Sequence, residues 1–192
     1  MSGPVAARTG GRCSAGEAIA RFDGKVDSYF ESHLRGRPPL DQLMYTASAA
    51  GEHSICWLVL AAAQGLRGPK ALRPLLRTGA ALGAESAIVN GIMKLAFRRR
   101  RPVRTRPHPL PLRQPRTSSF PSGHASAAFF AAALLRDDPL WPAYYALAVV
   151  VAISRIHVRM HYASDVIAGA ILGAVMGEGA RNLTAKMRGQ PD

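Results

Sequence analysis

Five apolar segments punctuate this chain, at about 55–63, 76–97, 124–135, 140–153 and 166–175, and none of them alternates apolar with polar residues. Without period-two alternation there are no half-buried strands to pair, so the segments predict helices and an all-α bundle. Pro- and Gly-marked connections separate them: Gly51-Glu52-His53, then Gly65, Gly68 and Pro69, then an arginine-rich stretch leading to Pro121. At 192 residues, 48% of them hydrophobic, the chain suits one domain with its own core.

Ahead of these segments, Ile19, Phe22, Val26, Tyr29 and Phe30 fall on one face of a helix over 18–35, opposite Arg21, Ser28 and Glu31. Such an amphipathic helix lies on a membrane surface or packs against a bundle. Pro38-Pro39 ends it, and Leu40 to Ala50 forms a second short helix. Residues 1–17, without periodicity, form a flexible tail, 18–183 a single domain and 184–192 a polar tail. No continuous apolar h-region appears near the N-terminus, so any membrane insertion falls to the internal segments.

A bilayer core takes about 20 helical residues, so several segments reach across only if their polar flanks extend the helix into the headgroups. A mean hydropathy of +0.01 is diluted by the polar termini and the arginine-rich loop. Small residues favour membrane packing: Gly79 with Gly83, then Gly169, Gly173 and Gly177, recur every four residues, where helices can approach closely. A soluble alanine-rich bundle is the alternative. By the positive-inside rule, Arg67, Lys70, Arg73 and Arg77, with Arg181, Lys186 and Arg188, would mark the cytoplasmic side. The loop 98–121 carries eight arginines on the opposite side, so charge counting leaves the topology open.

The formal charge of +13 admits nucleic acid, an anionic membrane surface or a phosphorylated substrate as partner. Cys13 and Cys56 offer neither a disulfide framework nor a metal knuckle. Three polar blocks narrow the choice. Lys94 and Arg101 are seven apart, about 10 Å along a helix, and if the helix persists they share a face where both reach one anion. Pro102 marks a helix end there. Pro121-Ser122-Gly123-His124 stands at a helix start, where free backbone N–H groups and the Ser122 hydroxyl suit an anion. In the third block, Arg155 follows an apolar segment, and His161 and Asp165 are helical neighbours in which a carboxylate can orient an imidazole. Snorkelling to lipid headgroups accounts for Arg98, Arg99 and Arg100. His157 has no acid at matching spacing and reads as structural. Glu85, within an apolar segment, is either functional or paired with a neighbouring helix.

These residues resemble the type 2 phosphatidic acid phosphatase superfamily, whose pattern is Lys-x6-Arg-Pro, Pro-Ser-Gly-His and Ser-Arg-x5-His-x3-Asp. Lys94-Arg101-Pro102, Pro121 to His124, and Ser154-Arg155-His161-Asp165 match every specified position and spacing. Pro39-Leu40-Asp41 and the turn from Ser48 to Glu52 look like the region before the core in small bacterial members. The resemblance implies that His161 is the nucleophile forming a phosphohistidine, Asp165 its orienting partner and His124 the general acid and then base. It also implies that Lys94, Arg101, Ser122, Gly123 and Arg155 bind phosphate, with no metal and no cofactor. The superfamily includes soluble acid phosphatases and vanadium haloperoxidases; the apolar flanks make this chain look like the integral-membrane branch. For that branch the resemblance implies a bacterial-type cytoplasmic membrane, crossed several times, with the site extracytoplasmic.

The implied substrate is a lipid phosphate: a polyprenyl diphosphate such as undecaprenyl diphosphate, or a phospholipid phosphate monoester. The alternatives are a decaprenylphosphoryl-5-phosphoribose, a substrate of some actinobacterial members, which the Ala/Arg/Gly-rich composition resembles, and phosphatidylglycerol phosphate. The arginine-rich loop 98–116 suits a second phosphate or headgroup anchoring equally. A non-catalytic basic protein binding lipid or nucleic acid would rest on charge alone and leaves the spacings unexplained. Nothing in the sequence speaks to oligomeric state.

Overall fold

The computed structural model of the protein describes residues 14–67, 72–103, 115, 117–187 and 189. The expected tail up to Cys13, the basic turn at 68–71, most of the arginine-rich loop (104–114 and 116) and positions 188 and 190–192 lie outside the described residues. Among the described residues every regular element is a helix, as the apolar segments predict.

The first helix, α1 (Ala15–His33), begins ahead of the expected residue 18 because Ser14 and Glu17 form a capping box. Glu17 N donates to Ser14 Oγ at 3.2 Å and Ser14 N to Glu17 Oε2 at 3.0 Å. Asp23 and Phe30 are buried against the protein, while Ile19, Phe22 and Tyr29 face outward, so most of the apolar stripe is exposed. Beyond the helix, Gly36 takes a φ of 81°, which favours glycine, and Pro38 opens α2 (Pro38–Ala50) at its first turn. Arg35 ties this corner to the bundle by donating to the carbonyls of Ile156 and His157, both at 2.8 Å. Those carbonyls belong to the last turn of a later helix, whose C-terminal end Arg35 thereby satisfies.

After a 3₁₀ turn at Glu52–Ser54 come α3 (Ile55–Gly65) and α4 (Leu72–Ser86). The latter widens to a π-helical register over Ala87–Met93 and closes with one turn, α5 (Lys94–Ala96). Then follow α6 (Gly123–Leu134), α7 (Trp141–His157) and α8 (Ala163–Lys186). The last runs well past its apolar segment because good helix formers carry it on and Arg181 pairs with Glu178 at 2.6 Å one turn away.

Alanine-rich α6 is the central helix, nearly all of it buried, and packs on α4, α7 and α8. Trp57, Leu82, Phe130, Leu134, Tyr144 and Val151 fill the main core around it. Its closest neighbour is α8. A Cβ at Gly169, Gly173 or Gly177 would overlap the backbone carbonyl oxygen of Ser122, Ser126 or Phe130, so the four-residue glycine repeat lets the α8 backbone lie directly on α6. The Gly79/Gly83 pair is not used in this way: Gly79 meets only a leucine side chain at 3.7 Å and Gly83 meets nothing within 4 Å.

Among the described residues α8, with 24 residues and a mean hydropathy of 1.3, is the one helix long and apolar enough to cross a membrane. Ile55–Gly65 and Gly123–Leu134 are shorter apolar helices. Leu72, Leu76, Ile92, Ile171 and Val175 on α4 to α8 point away from the protein, as lipid-facing residues would.

Candidate active site

The three polar blocks meet at one cavity of about 770 Å³, whose walls include Lys94, Arg101, Gly123, His124, Arg155 and His161. Each arrives on a different element. Lys94 sits just after the π-helical turn, Arg101 on the extended segment beyond α5, and Gly123 and His124 in the first turn of α6. Arg155 comes from the last turn of α7, and His161 from the short connection between α7 and α8.

The convergence of Lys94 and Arg101 does not use a continuous helix. The helix stops at Ala96, Phe97 is extended with φ −111° and ψ 115°, and the chain carries Arg101 to the cavity in an open conformation. Leaving the helix there lets Arg99 and Arg101 turn to different partners. Arg101 donates to the carbonyls of Met160 at 2.9 Å and Ser118 at 3.1 Å.

Those contacts place one Arg101 nitrogen 3.2 Å from His161 Nε2. On the other edge of the imidazole, Nδ1 lies 2.6 Å from the Ser119 carbonyl. A carbonyl only accepts, so Nδ1 carries the proton and the Nε2 lone pair of neutral His161 faces the cavity. Asp165 stands behind, its Oδ2 at 3.8 Å from Nδ1, an ion-pair separation rather than a hydrogen bond. The tautomer is thus fixed in the first place by the Ser119 carbonyl, which no side-chain pattern could announce. Burial above all pushes the His161 pKa down, to about 4; Asp165 pulls it up, and Arg155 and Arg101 lower it further.

Asp165 is fully buried and held on both oxygens: Oδ2 accepts from Tyr162 N at 3.0 Å and Oδ1 from Arg99 at 2.6 Å. Its backbone carbonyl accepts from Ser122 N at 3.0 Å, which joins the second block to the third. Ser122 is also fully buried and is not part of the cavity wall; its Oγ accepts from Ala125 N at 3.4 Å and caps α6. His124, one turn into the same helix, has its Nε2 buried with no hydrogen-bond partner among the described residues. Close approach matters at its neighbours. A Cβ at Gly51 would crowd Val151 at 2.9 Å and His124 at 3.3 Å, and one at Gly123 would meet Asn90 Oδ1 at 2.5 Å.

Arg155 is buried and bonded to Ser48 Oγ of α2, so the second short helix supports the cavity. His157 does find an acid, Asp41 of α2 at 2.7 Å, and that partly buried pair fastens α2 to α7 away from the cavity wall. Glu85 is buried and accepts from Ser126 Oγ of α6, the pairing with a neighbouring helix, and it also lines the cavity floor with Ser86 and Asn90. The snorkelling account fails for Arg99, which is engaged inside the protein by Asp23 and Asp165, both at 2.6 Å.

A helical fold that gathers these three blocks around one cavity defines a PAP2-type protein, and residues 74–187 match the PAP2 superfamily, to which the chain belongs. The chain is similar to the decaprenylphosphoryl-5-phosphoribose phosphatase of Mycolicibacterium smegmatis, 37% identical over 143 residues, 72% of this chain and 76% of that one. It is 36% identical over 164 residues to the protein of the same name from Mycobacterium tuberculosis, covering 84% of this chain and 90% of the relative. The fold matches the transmembrane PAP2 type phosphatidylglycerolphosphate phosphatase from Bacillus subtilis with a TM-score of 0.70 at 23% identity, over 88% of each chain.

Proposed function

We propose that the protein removes a terminal phosphate from a polyprenyl-linked phosphate ester of the decaprenylphosphoryl-5-phosphoribose kind, through a phosphohistidine on His161. The observation that carries this reading is the pairing, in one cationic cavity, of an inward-facing His161 Nε2 with a His124 ring nitrogen that has no hydrogen-bond partner among the described residues. The two mycobacterial relatives support the phosphoribose ester over the diphosphate among the substrates that the sequence suggests.

In the first step His161 Nε2 attacks phosphorus, the phosphorus–oxygen ester bond breaks, and His124 gives its proton to the leaving alkoxide. In the second, His124 takes a proton from water, whose oxygen attacks the phosphohistidine; the nitrogen–phosphorus bond breaks and inorganic phosphate leaves. Lys94, Arg101, Arg155 and the Gly123 N–H hold the equatorial oxygens as charge shifts between them. Ser122 contributes by capping the helix whose first turn presents Gly123 and His124. Asp165 stabilises the positive ring that phosphorylation creates. The family resemblance supports an extracytoplasmic site at the headgroup level.

Phosphate release by purified protein from a panel of lipid phosphates, with a chelator present, tests this reading. Turnover is expected to favour the phosphoribose ester and to survive chelation. Equal rates on water-soluble esters would defeat the lipid assignment, and complete loss on chelation the metal-free chemistry.

The acid limb gives a separate check. His161 must be neutral to attack, and with its pKa near 4 the free enzyme keeps it so throughout the neutral range. As pH falls, kcat/KM is therefore expected to decline through about pH 4, well below the usual histidine range, once the substrate's own titration is divided out. A limb near 6.5, the ordinary histidine value, would show an imidazole far more open to water than this one.

A further inference from the structure

Asp23 of α1 lies outside the matched region 74–187, and Arg99 occupies one of the six unspecified places between Lys94 and Arg101. Neither has a role in the chemistry above, yet both are engaged directly behind it. Asp23 is buried and receives three hydrogen bonds: from Ser164 N at 2.9 Å, from Ser164 Oγ at 2.7 Å and from Arg99 at 2.6 Å. The guanidinium is planar and forked; one nitrogen serves Asp23 and the other reaches both Asp165 Oδ1 at 2.6 Å and Ser164 Oγ at 2.7 Å. Its flat face rests 4.4 Å above the Tyr162 ring centroid. Arg99 can therefore adopt one orientation only, and that orientation fixes which Asp165 oxygen is left for the Tyr162 N–H and His161.

We propose that Arg99 is a positioning residue for the phosphatase reaction, locked by Asp23 of the N-terminal helix, and that it sets both the aim and the effective charge of Asp165 on His161. The inference rests on the phosphohistidine reading for its kinetic arm alone. With Oδ1 engaged by Arg99, Asp165 stands 3.8 Å behind neutral His161 and its pull on a proton is weakened. When phosphorylation makes the ring positive, the carboxylate is already in position to stabilise it. The N-terminal helix is by this account part of the catalytic apparatus: the lock closes only when α1 is docked.

The charged groups around His161 determine the sign of the test. Lys94, Arg101 and Arg155 oppose protonation from three elements, His124 stands across the cavity on α6, and Asp165 favours protonation from α8. Removing Arg99 strips a positive charge from behind Asp165, so His161 should take up a proton more readily. Removing the Asp23 charge leaves Arg99 less compensated and should act in the opposite direction.

The full chain in detergent is compared with Arg99→Gln, Arg99→Lys and Asp23→Asn, following the His161 resonance through a pH titration alongside steady-state kinetics and thermal unfolding. For Arg99→Gln the titration midpoint is expected to rise by about one pH unit. Its kcat is expected to fall by roughly tenfold or more, with KM little changed, because Arg99 is not in the wall of the cavity that His161 faces. Arg99→Lys should restore most of the midpoint but less of kcat, since an ammonium cannot fork between two carboxylates. Asp23→Asn should shift the midpoint downward, which keeps the test decisive should Arg99→Gln not fold. An unmoved midpoint, shifts of the same direction in both variants, or activity losses that merely follow the melting temperature would overturn the proposal. The titration needs no turnover, so failure of the phosphatase reading would appear separately, as a wild-type chain inactive on every lipid phosphate.

Discussion

His161→Ala is expected to lower lipid phosphate hydrolysis by on the order of 10⁴-fold or more, because the residual cationic cavity can bind phosphate but has no nitrogen to accept it. His124→Ala should behave differently. Without its proton donor, loss of a lipid alkoxide slows severely, whereas an ester with an acidic alcohol leaves unaided and its first step is largely spared. The second step still needs the missing base, so with such an ester the His124→Ala chain is expected to accumulate covalently bound phosphate. Denaturing gels after radiolabelled turnover would show label that is lost in acid and kept in base, as befits a phosphorus–nitrogen bond. Label on a His161→Ala chain, or none on His124→Ala, would reverse the assignment of the two rings.

The second large effect concerns the bundle itself. Gly173→Ala is expected to cost about 3 kcal/mol of stability, the upper part of the usual range for overpacking, because the new methyl would overlap the Ser126 carbonyl oxygen. A backbone atom cannot turn aside as a side chain can, so α6 and α8 must separate along their length. Gly179→Ala, on the same helix but with nothing within 4 Å, is the control and should be neutral or stabilising by up to about 1 kcal/mol. Thermal unfolding in detergent compares the two. Equal melting temperatures would mean that the helices do not lie backbone to backbone.

What could be read from the sequence was local. The glycine repeat at 169, 173 and 177 announced a close helix contact because four residues are one turn, and the structure supplies the partner carbonyls. Period alone separated helix from strand, and it placed α3, α6 and α7 within a few residues of their observed bounds. The same reasoning failed between Lys94 and Arg101, where spacing was read as helix and the chain is extended after Ala96. It also failed wherever a contact joins distant positions. Arg99 is 76 residues from Asp23 and 66 from Asp165, so its neighbours in sequence, three more arginines, suggested only a headgroup anchor. Asp41 meets His157 across 116 residues, a separation that no local spacing reveals. The Ser119 carbonyl that fixes the His161 tautomer is backbone, common to every residue, and leaves no mark in a pattern of side chains.

The glycine seam between α6 and α8 also limits how the cavity can open. Along it, carbonyl oxygens fill the space where side chains would otherwise stand, and there are no rotamers there to swing apart. His124 and Asp165, carried on those two helices, are therefore tied together as one block. The turn at Gly51 to Ser54, with Ser86 and Asn90 beside the π-helical stretch, completes the cavity and adjoins the same block, Gly51 beside His124 and Asn90 beside Gly123.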